Sequence, residues 1–179
     1  VQMIQKNEYM TFVGFHFHVG SQLKTNRHHI EAIEEIFPHM IRLKDEYGLL
    51  CKELDIGGGF GIAYTKLDTV VPLSDFVQSA MNNIQQYCEK NNIPMVQVAI
   101  EPGRSIVGPT AITIYKVGTV KETEHQSLIA IDGGMTDNLR VALYHATYEA
   151  TIANKASEPH TIAYTVVGNA CESTDVMIR

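Results

Sequence analysis

The sequence predicts an α/β fold, with part of a (β/α)8 barrel over residues 1–108 and part of a β-rich, Greek-key-like domain over residues 109–179. Three observations predict it. Short apolar runs of β type alternate with amphipathic helical patterns as far as Glu101, the layout of a parallel sheet with crossover helices. Each run ends in polar or glycine residues, as at the C-terminal rim where such sheets bind ligands. Past Gly108-Pro109 the texture changes to β-branched stretches at 112–121, 127–132 and 161–168, read as an antiparallel region with one helical window at 138–154. Three β/α units are too few to close a barrel and would leave a free sheet with open edges. The chain is either such a small sheet on its own or, the reading preferred here, the back part of a larger barrel. A first residue Val1 and a last run DVMIR agree with a fragment.

Taken in order, residues 11–19 alternate: Val13, Phe15, Phe17 and Val19 share one face, and Gly14, His16 and His18 the other. That is the period of a strand. Thr25 or Asn26 is placed to cap the helix that follows, where Ile30, Ile33, Ile36, Met40 and Leu43 recur at helical spacing. Pro38 is expected to kink it, and Gly48 ends it. Cys51–Ile56 reads as a second strand that delivers Asp55 and the triplet Gly57, Gly58 and Gly59. A second amphipathic helix over 74–91 turns Phe76, Ala80, Ile84 and Cys88 inward, with Val77, Met81 and Tyr87 beside them. Pro94 then breaks the chain before a third strand, Val96–Glu101.

Composition narrows the function. An apolar content of 45% fits a packed core rather than disorder. A net charge of −6 lacks the basic footprint of nucleic-acid or anionic-membrane binding. No apolar run approaches the ~20 residues of a membrane helix, and the N-terminus has no signal-peptide layout. Cys51, Cys88 and Cys171 form no CxxC pair and no metal spacing, which suits a reducing, cytoplasmic location.

The strand ends together suit one phosphorylated, nitrogen-containing ligand. Gly57, Gly58 and Gly59 either let backbone amides approach a phosphate or form a plain tight turn. Ser21 adds a hydroxyl, and Arg104, after the turn Pro102-Gly103, adds a charge-assisted bond. Glu101 either holds a proton on a pyridine nitrogen or braces the loop by pairing with Arg104. His18, nearest the strand end, is able to stack on an aromatic ligand, whereas His16 is expected to be a hydrogen-bonded core residue. With no carboxylate near them in sequence, the two histidines are not assigned a metal. Farther on, Arg140 and Tyr144 lie four apart. They suit a substrate carboxylate, or else form an exposed charge and a core aromatic. Cys171, beside Glu172, suits giving up a proton more than attacking as a nucleophile, or is a small buried hydrophobe.

HVGSQ, GGGFG, EPGR, DGGMTDNLR with ALY, and CESTD occur in that order across nearly the whole chain, and together they resemble the diaminopimelate decarboxylases. These are pyridoxal 5′-phosphate enzymes built on an alanine-racemase-like TIM-type barrel and a β domain. The resemblance implies decarboxylation of meso-2,6-diaminopimelate to L-lysine and CO2. It implies that His18 stacks on the coenzyme ring and takes part in catalysis, that Ser21 and Gly57 to Gly59 hold the phosphate, and that Glu101 faces the ring nitrogen. Arg104 would reach phosphate and substrate through the Pro102-Gly103 turn. Arg140 and Tyr144 would bind the distal carboxylate, Glu172 the distal amino group, and Cys171 would be the proton donor. A homodimer is implied, the cysteine loop crossing to the other subunit's site.

The sequence also departs from the family. No residue matches its Schiff-base lysine, which lies upstream of these motifs, so this chain alone is expected to be inactive. The family's C-terminal tyrosine motif is missing, Val141 stands where proline is usual, and Thr174 where glycine is usual. Two alternatives stay open. One is a related decarboxylase of the same fold, acting on an ornithine-like, arginine-like or carrier-bound amino acid. The other is a non-catalytic, coenzyme-binding relative.

Overall fold

The computed structural model describes all residues from Val1 to Arg179. They fall into two compact units, 1–63 with 69–111, and 64–68 with 112–179.

In the first unit a short helix α1 (Gln2–Gln5) precedes strand β1 (Gly14–His16), helix α2 (Arg27–Tyr47), strand β2 (Glu53–Asp55), helix α3 (Leu73–Lys90), strand β3 (Gln97–Ala99) and helix α4 (Gly103–Val107). The three strands form a parallel sheet in the order β1-β2-β3. Ile33, Phe37 and Met40 of α2 and Ala80, Ile84 and Cys88 of α3 bury their faces over Leu54 and Ile56. Helical spacing marks most of this face, but the isoleucine pattern passed over Phe37 and His29, both buried. Helix α2 runs unbroken through Pro38 and ends at Gly48, whose φ of 65° is the left-handed conformation glycine takes without strain. Asn26 caps it by position only, since its side chain donates to Ser79 Oγ at 2.8 Å. Val13, expected inside with its strand neighbours, is 48% exposed.

In the second unit, strands β4 (Val117–Glu122) and β5 (Ser127–Ile131) form an antiparallel hairpin. Helix α5 (Arg140–Tyr144) follows, then β6 (Thr165–Val167) and β7 (Val176–Ile178), in sheet order β4-β5-β6-β7. The sheet is not wholly antiparallel as expected, because β5 and β6 run parallel. The long connection between them provides the crossover that a parallel pair needs. The helical window at 138–154 shrinks to five residues, since His145 turns left-handed (φ 52°) and Thr147, Thr151 and Ile152 bring β-branched residues behind it. No helix is long and apolar enough to cross a membrane.

Candidate functional site

The parallel register builds the site. It sets His16 opposite Asp55, and Asp55 opposite Ala99, two residues before Glu101. His16 Nε2 and Glu101 Oε2 come within 3.2 Å, both side chains about half exposed. His16 is therefore not the core histidine the sequence suggested. Its face of β1 turns to the sheet rim, and it pairs with the carboxylate expected to brace Arg104. Ligand atoms of His16, Asp55 and Glu101 all lie within 4.8 Å of one another. Adjacent strands thus bring two carboxylates beside His16, where the sequence around it offers none.

The glycine triplet is packed against the same rim. A Cβ at Gly57 would lie 2.3 Å from the Phe17 carbonyl oxygen, one at Gly58 2.1 Å from that of Glu101, and one at Gly59 within 1.9 Å of that of Gly20. The protein's own backbone, not a ligand, is what first excludes side chains here. Two of the three amides are also engaged internally: Gly57 N–H donates to Asp55 Oδ1 at 2.8 Å and Gly58 N–H to His18 Nδ1 at 3.3 Å. The Gly59 N–H donates to no protein group. Gly58 thus touches His18 on one side and Glu101 on the other, so the ends of β1, β2 and β3 share one edge.

Beside them, Arg104 in the first turn of α4 donates from Nη2 to Ser21 Oγ and from Nη1 to Gln22 Oε1, both at 3.0 Å. Gln22 sits at φ 59° and also accepts from the Ile62 N–H at 3.3 Å. Pro102 and Gly103 supply the turn that brings the guanidinium back over Ser21, and no atom lies within 4 Å of a Cβ at Gly103.

In the second unit the unforeseen residue is Asp175, only 3% exposed. Its carboxylate accepts from Met135 N at 2.6 Å and Ala170 N at 2.8 Å, and it fills the space that a Cβ at Gly134 or Gly168 would need. It therefore ties the loop carrying Cys171 and Glu172 to the Gly133-Gly134 turn. Hydrogen bonds from the Thr174 N–H and from Ser173 hold the Glu172 carboxyl below its ordinary range. Cys171 is exposed, not a buried hydrophobe, whereas burial pushes the thiols of Cys51 and Cys88 up. Arg140 lies over the rings of Tyr64 and Tyr144, 5.5 and 5.6 Å from their centroids. Tyr144 is 69% exposed, so the core-aromatic alternative falls. Tyr115 donates to Asp137 Oδ2 at 2.8 Å, and burial with that bond raises its phenol to about 12.

The donor set fits pyridoxal phosphate. A carboxylate (Glu101) matches a ring nitrogen, an imidazole (His18) lies beside it, and a guanidinium, a hydroxyl and a free glycine amide suit a phosphate. Fold and rim define the coenzyme-binding class of parallel α/β proteins with a following sheet unit.

Comparison makes this specific. The profile of the pyridoxal-dependent decarboxylase pyridoxal binding domain matches residues 1–108, and that of the pyridoxal-dependent decarboxylase C-terminal sheet domain matches residues 75–179. The chain belongs to the pyridoxal-dependent decarboxylase family, whose coenzyme is pyridoxal 5′-phosphate. It is 38% identical to the diaminopimelate decarboxylase of Halalkalibacterium halodurans over 93% of this chain, and 36% identical to that of Bacillus subtilis over 99%. It spans 38% and 41% of their lengths. Among solved structures, diaminopimelate decarboxylase from M. jannaschii in co-complex with L-lysine aligns over 99% of this chain and 40% of that one. The TM-score is 0.86 at 32% identity. A lysine/ornithine decarboxylase from Vibrio vulnificus complexed with cadaverine aligns over 98% of this chain and 46% of that one, with a TM-score of 0.78 at 29% identity. The fold is accordingly α/β, part of a TIM-type barrel followed by part of a β-sheet domain.

Proposed function

We propose that this chain is part of an enzyme that decarboxylates meso-2,6-diaminopimelate to L-lysine and CO2. The observation that supports it best is the shared rim, where Glu101 and His18 flank Gly58 while Arg104 meets Ser21. Ser21, Arg104 and the Gly59 amide hold the coenzyme phosphate, with Gly57 and Gly58 shaping the loop and Pro102 and Gly103 aiming Arg104. His18 stacks on the ring. Glu101 keeps a proton at the ring nitrogen, and His16 orients that carboxylate. Bound there, pyridoxal phosphate supplies an electron sink for the pair left when the bond from the α-carbon to the carboxylate breaks. Cys171 then gives its Sγ proton to the α-carbon as CO2 leaves. Arg140 and Tyr144 bind the distal carboxylate and Glu172 the distal ammonium. The enzyme acts as a homodimer on a small amino-acid substrate in the cytoplasm, with the Cys171 loop serving the other subunit's site.

The likeness to the lysine/ornithine decarboxylase favours a second reading, a decarboxylase of simpler basic amino acids. CO2 release by the intact protein separates them. Release from diaminopimelate and not from ornithine supports the first, and the reverse supports the second. Release from neither, with coenzyme bound, refutes both in favour of a non-catalytic relative. Within the first reading, Cys171→Ala is expected to slow turnover strongly while the coenzyme spectrum persists, and unchanged turnover removes its role as proton donor.

A further inference from the structure

His29 has no part in the reading above, yet it is a polar side chain only 2% exposed. Its ring lies parallel to Phe60, with centroids 5.0 Å apart and 4° between planes, and edge-on to Phe76 at 5.7 Å. Nε2 stands 2.9 Å from the Gly58 carbonyl oxygen. A carbonyl oxygen only accepts, so Nε2 carries a proton. Nδ1 is buried without a partner. As a bare lone pair it costs less than the second buried N–H of a cation would. Burial, with His18 and His28 nearby, holds the imidazole below its ordinary range, against the opposite pull of the Gly58 bond. His29 is therefore a neutral donor aimed at one carbonyl.

That carbonyl shares its peptide plane with the Gly59 N–H. In a trans peptide the two point to opposite edges, and the chain has no cis bonds. We propose that His29 is a positioning residue for the phosphate end of the coenzyme: by holding the Gly58 carbonyl in the core, it turns the Gly59 amide outward as a phosphate donor. The other two glycine amides are already committed to Asp55 and His18, so Gly59 is the one member of the triplet left to give a bond away. An isolated tight turn would need no buried imidazole beneath it. The inference rests on the coenzyme reading and deepens it, since it assigns the orientation of the loop to a residue that never touches the ligand.

The test uses the intact enzyme, stripped of coenzyme and titrated with pyridoxal 5′-phosphate and with pyridoxal, which lacks the phosphate. His29→Phe keeps an aromatic ring between Phe60 and Phe76 but cannot donate. It is expected to lose roughly tenfold in affinity for pyridoxal 5′-phosphate, the scale of one hydrogen bond to a charged group, and nothing for pyridoxal. His29→Gln, with an amide N–H to offer the same carbonyl, recovers most of the loss. Equal loss for both ligands, or no loss, overturns the proposal. An independent readout needs no variant: in wild-type protein carrying 15N-glycine, the Gly59 amide proton moves downfield with pyridoxal 5′-phosphate and not with pyridoxal. A stationary Gly59 signal overturns the proposal even where His29→Phe fails to fold. Should the wild type bind both ligands equally, the coenzyme reading itself fails. Should it prefer the phosphorylated one and His29→Phe prefer it as strongly, only the role of His29 fails.

Discussion

Gly58→Ala tests whether the rim is a packed structure or an open loop. An added Cβ lies 2.1 Å from the Glu101 carbonyl oxygen and 3.1 Å from its carbon, where ordinary contact starts at 3.4 Å. The two backbones have to part by 3.4 − 2.1, or 1.3 Å. Gly58 has no left-handed φ, so alanine fits its conformation and the cost is purely steric. Glu101 N–H also donates to the Gly57 carbonyl at 2.8 Å, so the strand ends cannot separate without straining that bond. Overpacking of this kind costs about 1–3 kcal/mol. In a chain of this size, a loss of that order lowers Tm by roughly 2–12 °C. Gly103→Ala is the control. Nothing lies within 4 Å of its Cβ, and in the first turn of α4 it is expected to be neutral or to gain up to about 1 kcal/mol. Thermal melts followed by circular dichroism, with coenzyme titration in parallel, read both. If Gly58→Ala melts with Gly103→Ala and binds coenzyme as well, the packed rim is refuted.

Three further outcomes follow from the same contacts. Asp175→Ala leaves the Met135 and Ala170 amides without their acceptor and is expected to cost about 3 kcal/mol, read as a lower urea midpoint at unchanged slope; an unchanged midpoint removes Asp175 as the anchor of the Cys171 loop. Arg140→Ala raises KM for diaminopimelate far more than for a substrate without a distal carboxylate, and equal effects on both discard the substrate argument. Stability also depends on pH through His29. Its native-state pKa lies below the ordinary 6.5, so the unfolded chain binds its proton first and stability falls as pH drops below 6.5. From pH 8 to about pH 5, wild-type Tm is expected to fall further than that of His29→Phe; parallel curves show that His29 is not held neutral.

Much of this was legible in the sequence for a physical reason. Short apolar runs of β type ending in glycine or charge mark parallel strand ends, and β1, β2 and β3 lie within them. Helical spacing likewise marks the faces of α2 and α3. What escaped depends on partners far apart in the chain. Alternation placed His16 and His18 on one face, but only the pairing of β1 with β2 and β3 shows that this face meets Glu101. Asp175 closes the CESTD motif, in which Cys171 and Glu172 carry the recognisable chemistry. Its role depends on Gly134 and Gly168, which close around its carboxylate. His29, between His28 and Ile30, reads as one more polar helix residue until Phe60 and Gly58 fold over it. The parallel β5–β6 pair and the short α5 likewise reflect tertiary choices, a crossover and a left-handed His145, that local propensity does not carry.

A crystal structure of the intact enzyme with pyridoxal 5′-phosphate bound tests the central claim most directly. It should find the phosphate within hydrogen-bonding reach of Ser21 Oγ, Arg104 and the Gly59 amide, and the ring nitrogen against the Glu101 carboxylate. A coenzyme seated away from these strand ends, with Glu101 bonded to His16 alone, would contradict it.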